Sequence, residues 1–206
     1  VSGILFVISA PSGTGKTTVG RRVQQELGEL DWSVSFTTRE PREGESDGRE
    51  YHFIDRQTFS VMEAEGEFLE CADVFGHRYG TGLAQTQEKL AQGRDLLLEI
   101  DVQGAAQIRV GPIEAVSVMI LPPDFATLEA RLTGRGSEAA EQRADRLAKA
   151  RVEAEEFRHF DYMVVNAELD RAVEQVASIV RAERRRVERC TVAAQSILAD
   201  FPHPAG

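Results

Sequence analysis

A chain of 206 residues, 42% hydrophobic and 28% charged, has room for one buried core with excursions from it, but not for a second full domain. Its 34 acidic against 24 basic residues leave a formal charge of −10, which disfavours a broad electrostatic footprint on nucleic acid or an anionic membrane. Cys71 and Cys190 lack the paired spacing of a zinc site or disulfide framework, no basic-then-apolar leader precedes the first strand, and runs such as Ile4 to Ala10 are too short to span a bilayer. These features predict a soluble, cytoplasmic protein without nucleic-acid or membrane partners, either monomer or homo-oligomer, whose anion sites are local clusters of cations.

Apolar stretches of strand length alternate with stretches of helical period, the pattern of an α/β fold with a mostly parallel sheet. The first strand spans Gly3 to Ala10, and Val19, Val23 and Leu27 behind it recur as one face of a helix. Further strands are read at Ser33 to Thr37, Leu96 to Ile100, Ala115 to Leu121 and Tyr162 to Val165, several of them apolar on both faces as buried parallel strands are. Asp124 is the expected N-cap of a helix whose stripe is Phe125, Leu128 and Leu132. The last long helix carries Leu169, Val173, Val176 and Val180, and Arg184, Arg185 and Arg186 are read as its solvated, dipole-compatible end. Residues 38 to 79 and 133 to 156 fit the alternation poorly and are expected as excursions from the core. Trp32 and the phenylalanines are assigned to the core, and His52, His77, His159 and His203 lack ligand spacing.

The first strand runs directly into Ala10, Pro11, Ser12, Gly13, Thr14, Gly15, Lys16, Thr17 and Thr18, then a helix, which is the setting of a phosphate-binding loop. Glycines let backbone N–H groups turn toward the phosphates, the helix N-terminus adds partial positive charge, Lys16 reaches the β- and γ-phosphates, and the Thr17 hydroxyl can ligate Mg²⁺. Ala10 stands where a glycine is usual, so the turn there must accept a Cβ. A Mg²⁺ site also calls for a carboxylate at the end of a neighbouring strand. Glu99 and Asp101 supply a pair on one face, unless one acid merely caps the loop before Gln103 and Gly104.

The segments Ser33 to Arg42, Gly44-Glu45, Gly48, Tyr51-His52-Phe53, Phe68-Leu69-Glu70 and Gly76 to Thr81 resemble the nucleotide-binding excursion of guanylate kinases. The resemblance continues through Glu99 to Gly104, Leu121-Pro122-Pro123, Gly134-Arg135-Gly136 and Val165-Asn166. It implies a P-loop nucleoside monophosphate kinase fold: a five-stranded parallel core sheet flanked by helices, a small mixed α/β GMP-binding insertion and a helical lid. The corresponding division is core 1–34, insertion 35–84, core 85–126, lid 127–157, and core with C-terminal helix 158–206. The implied reaction moves the γ-phosphoryl of ATP to GMP, with dGMP as a further acceptor.

By the same resemblance Arg39, Arg42, Tyr51 and Tyr79 hold the GMP phosphate, Glu70 reads guanine N1–H and the exocyclic amine, and Ser35 and Thr81 lie on the O6 side. Glu45 positions the nucleotide, Asp101 lies near GMP and reaches the metal through water, and Glu99, counted among the GMP-binding residues, stands where many relatives have Asp. Arg131, Arg135 and Arg146 are lid cations over the ATP phosphates, and Asn166 lies beside adenine. Lys16, Arg39, Arg135, Arg146 and Asp101 are the expected catalytic set. The acceptor is already an anion, so no side-chain base is needed, and catalysis rests on orientation and electrostatics. Two alternatives stand: a ribose 1,5-bisphosphate phosphokinase, against which Glu70 and Ser35 discriminate, and a catalytically inactive guanylate-kinase-like binding module, against which the intact Gly15-Lys16-Thr17 argues.

Overall fold

A computed structural model describes residues 2–74, 76–133 and 140–201, with residues 133 and 140–145 described by backbone only. In chain order the elements are β1 (Leu5–Ser9), α1 (Lys16–Leu27), β2 (Asp31–Trp32), β3 (Ser35–Thr37), β4 (Tyr51–Phe53), α2 (Arg56–Ala64), β5 (Phe68–Val74), β6 (His77–Gly82) and α3 (Leu83–Ala91). There follow β7 (Leu96–Glu99), α4 (Val102–Val110), β8 (Ala115–Leu121), α5 (Phe125–Thr133), α6 (Ala140–Glu155), β9 (Tyr162–Val165), α7 (Leu169–Glu183) and α8 (Val187–Ala199).

The core is a five-stranded sheet in the order β2-β7-β1-β8-β9, and every pairing in it is parallel. The period of two along β1 separates its faces. Phe6 and Ile8 pack with Val19 and Val23 of α1 and Val173, Val176 and Val180 of α7, whereas Leu5 and Val7 pack with Leu90, Ala105 and Ile108 on the α3 and α4 side. Both faces are thus covered, as an all-parallel sheet requires. A second sheet, in the order β4-β3-β6-β5, stands beside the core, with β3 and β4 parallel and the other pairs antiparallel. Among the described residues no helix is long and apolar enough to cross a membrane.

Four expectations need correction. The run Ser33 to Thr37 is not the second core strand; Asp31–Trp32 is, and Ser33 N–H extends its ladder by one bond to Leu97 O (3.0 Å). The chain then crosses over, so that Ser35–Thr37 belongs to the second sheet: one continuous β-like pattern is shared between two sheets. Phe125 does not share the stripe of Leu128 and Leu132. It is 58% exposed, whereas they are buried with Ala150 in a small separate cluster. Arg184 is not solvated: its Nε meets Asp95 Oδ2 at 2.7 Å and its Nη2 donates to Glu29 O, tying the end of α7 to the start of β7. Trp32 lies only at the margin of the core, with the Arg21 guanidinium 4.0 Å over its ring, and of the phenylalanines assigned with it Phe157 and Phe201 are, like Phe125, exposed.

Candidate active site

The conserved geometry of parallel α/β sheets puts ligands beyond the carboxyl ends of the strands, and three strand ends converge here. At the end of β1, Gly13 (φ 88°) and Gly15 (φ 92°) are left-handed, which a side chain would oppose. A Cβ at Gly13 would also come within 2.6 Å of Leu132 Cδ2. Ala10 accepts its methyl because it turns into the main core cluster, where it is buried. No side chain caps α1, so its first N–H groups are left for an anion.

Contacts from distant elements hold the loop. The Thr14 carbonyl accepts from Asn166 Nδ2 (2.7 Å) and Arg131 Nη1 (3.4 Å), and Arg131 Nη2 donates to the Asn166 carbonyl (3.0 Å). Arg146 Nη2 donates to Ser12 Oγ at 3.0 Å. Lys16 Nζ donates to Ile100 O at 2.6 Å, and Thr17 Oγ1 to Glu99 Oε1 at 2.6 Å. Thr18 is exposed on α1, and Arg135 lies outside the described residues.

On the second sheet, Arg39 Nη2 donates to both carboxylate oxygens of Glu45 at 2.9 Å, and Glu45 Oε2 also accepts the Arg42 N–H (2.8 Å). That backbone bond, followed by Arg39, holds the Glu45 carboxyl below its usual range. The Arg39 guanidinium lies 5.4 Å from the Tyr51 ring centroid, and the Tyr51 and Tyr79 rings are 5.7 Å apart. Burial, then the charge of Glu99, pushes the Tyr51 hydroxyl above its usual range. Arg39, Glu45, Tyr51 and Tyr79 thus form one cluster, whereas Arg42 is exposed and contributes its backbone.

Deeper in the cleft, Thr81 Oγ1 donates to Glu70 Oε1 at 2.6 Å and lies 3.4 Å from Ser35 Oγ. A hydroxyl has one proton; with that of Thr81 given to Glu70, Ser35 is the donor to Thr81. Glu70 is 4% exposed, and its pKa is pushed up to about 7, first by burial and further by the Asp101 charge, with Thr81 and Lys16 opposing. Asp101 itself caps α4: its Oδ1 accepts from Gln103 N–H (3.1 Å) and Gly104 N–H (2.9 Å). Of the two strand-end acids, Glu99 therefore meets Thr17 while Asp101 takes the capping geometry. Among the described residues, no group of three or more His, Cys, Asp or Glu side chains could hold a metal.

One residue escaped the sequence reading. Glu153, buried on α6, accepts the Ser12 N–H through Oε2 at 3.3 Å and has Lys149 Nζ 3.6 Å from Oε1. The available signal was its place two helical turns after Arg146, on the same helix face, but a glutamate in a strongly charged helix gives no reason to expect burial.

The guanylate kinase family model matches residues 2–183. A guanylate kinase of Syntrophotalea carbinolica is 50% identical over 188 residues, covering 91% of this chain and 90% of that protein. One of Nitrosomonas europaea is 49% identical over 197 residues, covering 96% and 98% respectively. The crystal structure of guanylate kinase from Anaplasma phagocytophilum superposes with a TM-score of 0.74 at 31% identity, covering 91% of this chain and 89% of that one. With the family model spanning both sheets and relatives matching nearly end to end, the chain belongs to the guanylate kinase family and is a nucleoside monophosphate kinase.

Proposed function

We propose that the cleft between the two sheets transfers the γ-phosphoryl of ATP, seated on residues 10 to 18, to GMP held by the second sheet. The observation that carries the acceptor's identity is the buried chain Ser35–Thr81–Glu70. An ionised Glu70 accepts from both N1–H and the 2-amino group of guanine, whereas adenine offers no such donor pair and would leave the carboxylate unpaired. Glu45 grips Arg39 Nη2 and the Glu40 carbonyl accepts from Nη1 (2.7 Å), which fixes the guanidinium plane beside the position of the GMP phosphate, with the Tyr51 and Tyr79 hydroxyls as further donors. Arg42 is a second cation at the mouth.

Lys16 leaves the Ile100 carbonyl for the β- and γ-phosphates. Arg131 and Arg146, already against the loop, neutralise charge on the transferring group, and Arg135 is assigned to the same task by resemblance alone. Asn166 holds the loop beside the adenine position. Thr17 and Glu99 suit Mg²⁺: the Thr17 hydroxyl would offer it a hard oxygen donor, and Glu99, which accepts from that hydroxyl, would orient it from behind. When bound, the ion neutralises charge on the β- and γ-phosphates. Asp101 caps α4 within electrostatic reach of Glu70, on the acceptor side.

The test is ADP release measured with GMP, dGMP, AMP, UMP and ribose 1,5-bisphosphate. Turnover is expected with GMP and, more weakly, dGMP. Turnover with ribose 1,5-bisphosphate but not GMP would replace this reading with the sugar kinase, and inactivity of well-folded protein would replace it with the binding module. Glu99→Ala is expected to raise the Mg²⁺ concentration for half-maximal rate about 10-fold, as loss of an outer metal partner does. A Mg²⁺ titration checks this. A rise in KM for GMP alone would return Glu99 to the acceptor side.

A further inference from the structure

The base reader Glu70 lies on β5, and β5 is the edge strand of the second sheet. An edge strand presents unpaired N–H and C=O groups, so its placement depends on whatever takes them. At Cys71, the residue after Glu70, these groups are both taken by one side chain of the core. Gln107 Oε1 accepts the Cys71 N–H at 3.0 Å, and Gln107 Nε2 donates to the Cys71 carbonyl at 2.7 Å. A carboxamide offers donor and acceptor side by side at every ordinary pH, as a neighbouring strand would.

Gln107 is on α4, one turn after Gly104. Gly104 faces the same strand from below: a Cβ there would lie 2.5 Å from Glu70 Oε2. The α4 face therefore acts on two successive β5 residues, leaving room for the Glu70 carboxylate at position 104 and fixing the backbone beside it at position 107. Asp101, which caps this helix, sets where the face begins. Cys71 Sγ points elsewhere, toward Glu63 at 3.3 Å, so the thiol takes no part.

We propose that Gln107 is a positioning residue for base specificity, acting through Glu70 by docking the β5 edge onto α4 in a fixed register. The inference rests on the reading of Glu70 as the guanine reader. Gln107 is exposed, and its amide is engaged by the Cys71 backbone rather than offered to a substrate. The rigid two-point bridge holds the residue whose carboxylate must meet two guanine donors at once, and small errors of position are costly for such paired contacts.

The experiment compares kcat/KM for GMP with that for IMP, which lacks the 2-amino group, in wild type, Gln107→Leu, Glu70→Gln and the double variant. Gln107→Leu keeps the side chain's bulk and removes its hydrogen bonds. It is expected to shrink the GMP-to-IMP ratio about 5-fold, the scale of two partly exposed hydrogen bonds, chiefly through KM for GMP. Glu70→Gln is expected to collapse the ratio, and adding Gln107→Leu to it is expected to change the ratio no further. If Gln107→Leu lowers both substrates equally, or changes neither, Gln107 is only an edge cover and the proposal fails while the Glu70 reading stands. If Glu70→Gln leaves the ratio unchanged, the Glu70 reading fails first and takes the proposal with it.

Discussion

Lys16→Ala is expected to lower kcat for GMP phosphorylation about 100- to 1000-fold, the loss typical of removing one fixed charge from a transition state. The ammonium rests on the Ile100 carbonyl at 2.6 Å, at the head of α1 and one peptide from both strand-end acids, so its withdrawal disturbs no packed core. GMP affinity is expected to change far less than kcat, because Lys16 reaches the proposed GMP contacts only through its charge on Glu70. Single-turnover kinetics with calorimetric GMP binding separates the two quantities. Comparable turnover in the variant would move the donor phosphates away from this loop.

Glu70→Gln carries opposite consequences for activity and for stability. Its kcat/KM for GMP is expected to fall about 10- to 100-fold, because a charged acceptor of two donors becomes an amide that can accept only one. The folded-state pKa of about 7 lies above the reference 4.5. Between those values the folded protein binds more protons than the unfolded chain, so stability is lost as pH rises through that window. Gln lacks this penalty, and the variant is expected to be more stable at pH 8 by up to about 3 kcal/mol, with the advantage vanishing below pH 4.5. In wild type, kcat/KM for GMP should drop as pH falls below 7, since the protonated carboxyl loses an acceptor, and in Glu70→Gln that limb should be absent. Urea melts at several pH values and a pH–rate profile check both. A variant that melts at the wild-type midpoint at pH 8 would show the carboxyl to be ordinary.

The legible parts of the sequence were those where local chemistry and long-range placement coincide. The phosphate loop follows a strand and opens a helix, and each of its residue types has a local reason, so Gly13 to Thr17 could be read without tertiary information. The strands that Leu96 and Ala115 begin carry consecutive buried apolar residues and announce themselves, and the strand that Tyr162 begins is equally apolar although Met163 and Val165 on one of its faces are exposed. Residues 33 to 37 read as one strand because alternation cannot say which sheet a strand joins. That Ser35, Glu70 and Thr81 meet was legible only through the family's motifs, since nothing local to them reveals it. Glu99 and Asp101 alternate onto one face as strand residues would, yet the chain turns helical after Asp101, and a cap rather than a strand direction decides its orientation. Arg184, Glu153 and Gln107 were opaque for a related reason: each is a long polar side chain whose partner is a backbone or carboxylate far away in sequence.

The pinning of the Thr14 carbonyl by Asn166 and Arg131 has a consequence for the atoms on the other side of that bond. A trans peptide is a rigid plate whose oxygen and following hydrogen face opposite ways. Gripping the oxygen from outside turns the Gly15 hydrogen toward the hollow of the bend, as a hand on the back of a mirror aims its front. The nest is thus aimed by the residue that follows β9 and by α5, both remote along the chain, and part of the ordering an incoming triphosphate would otherwise impose is already accomplished when the polypeptide folds.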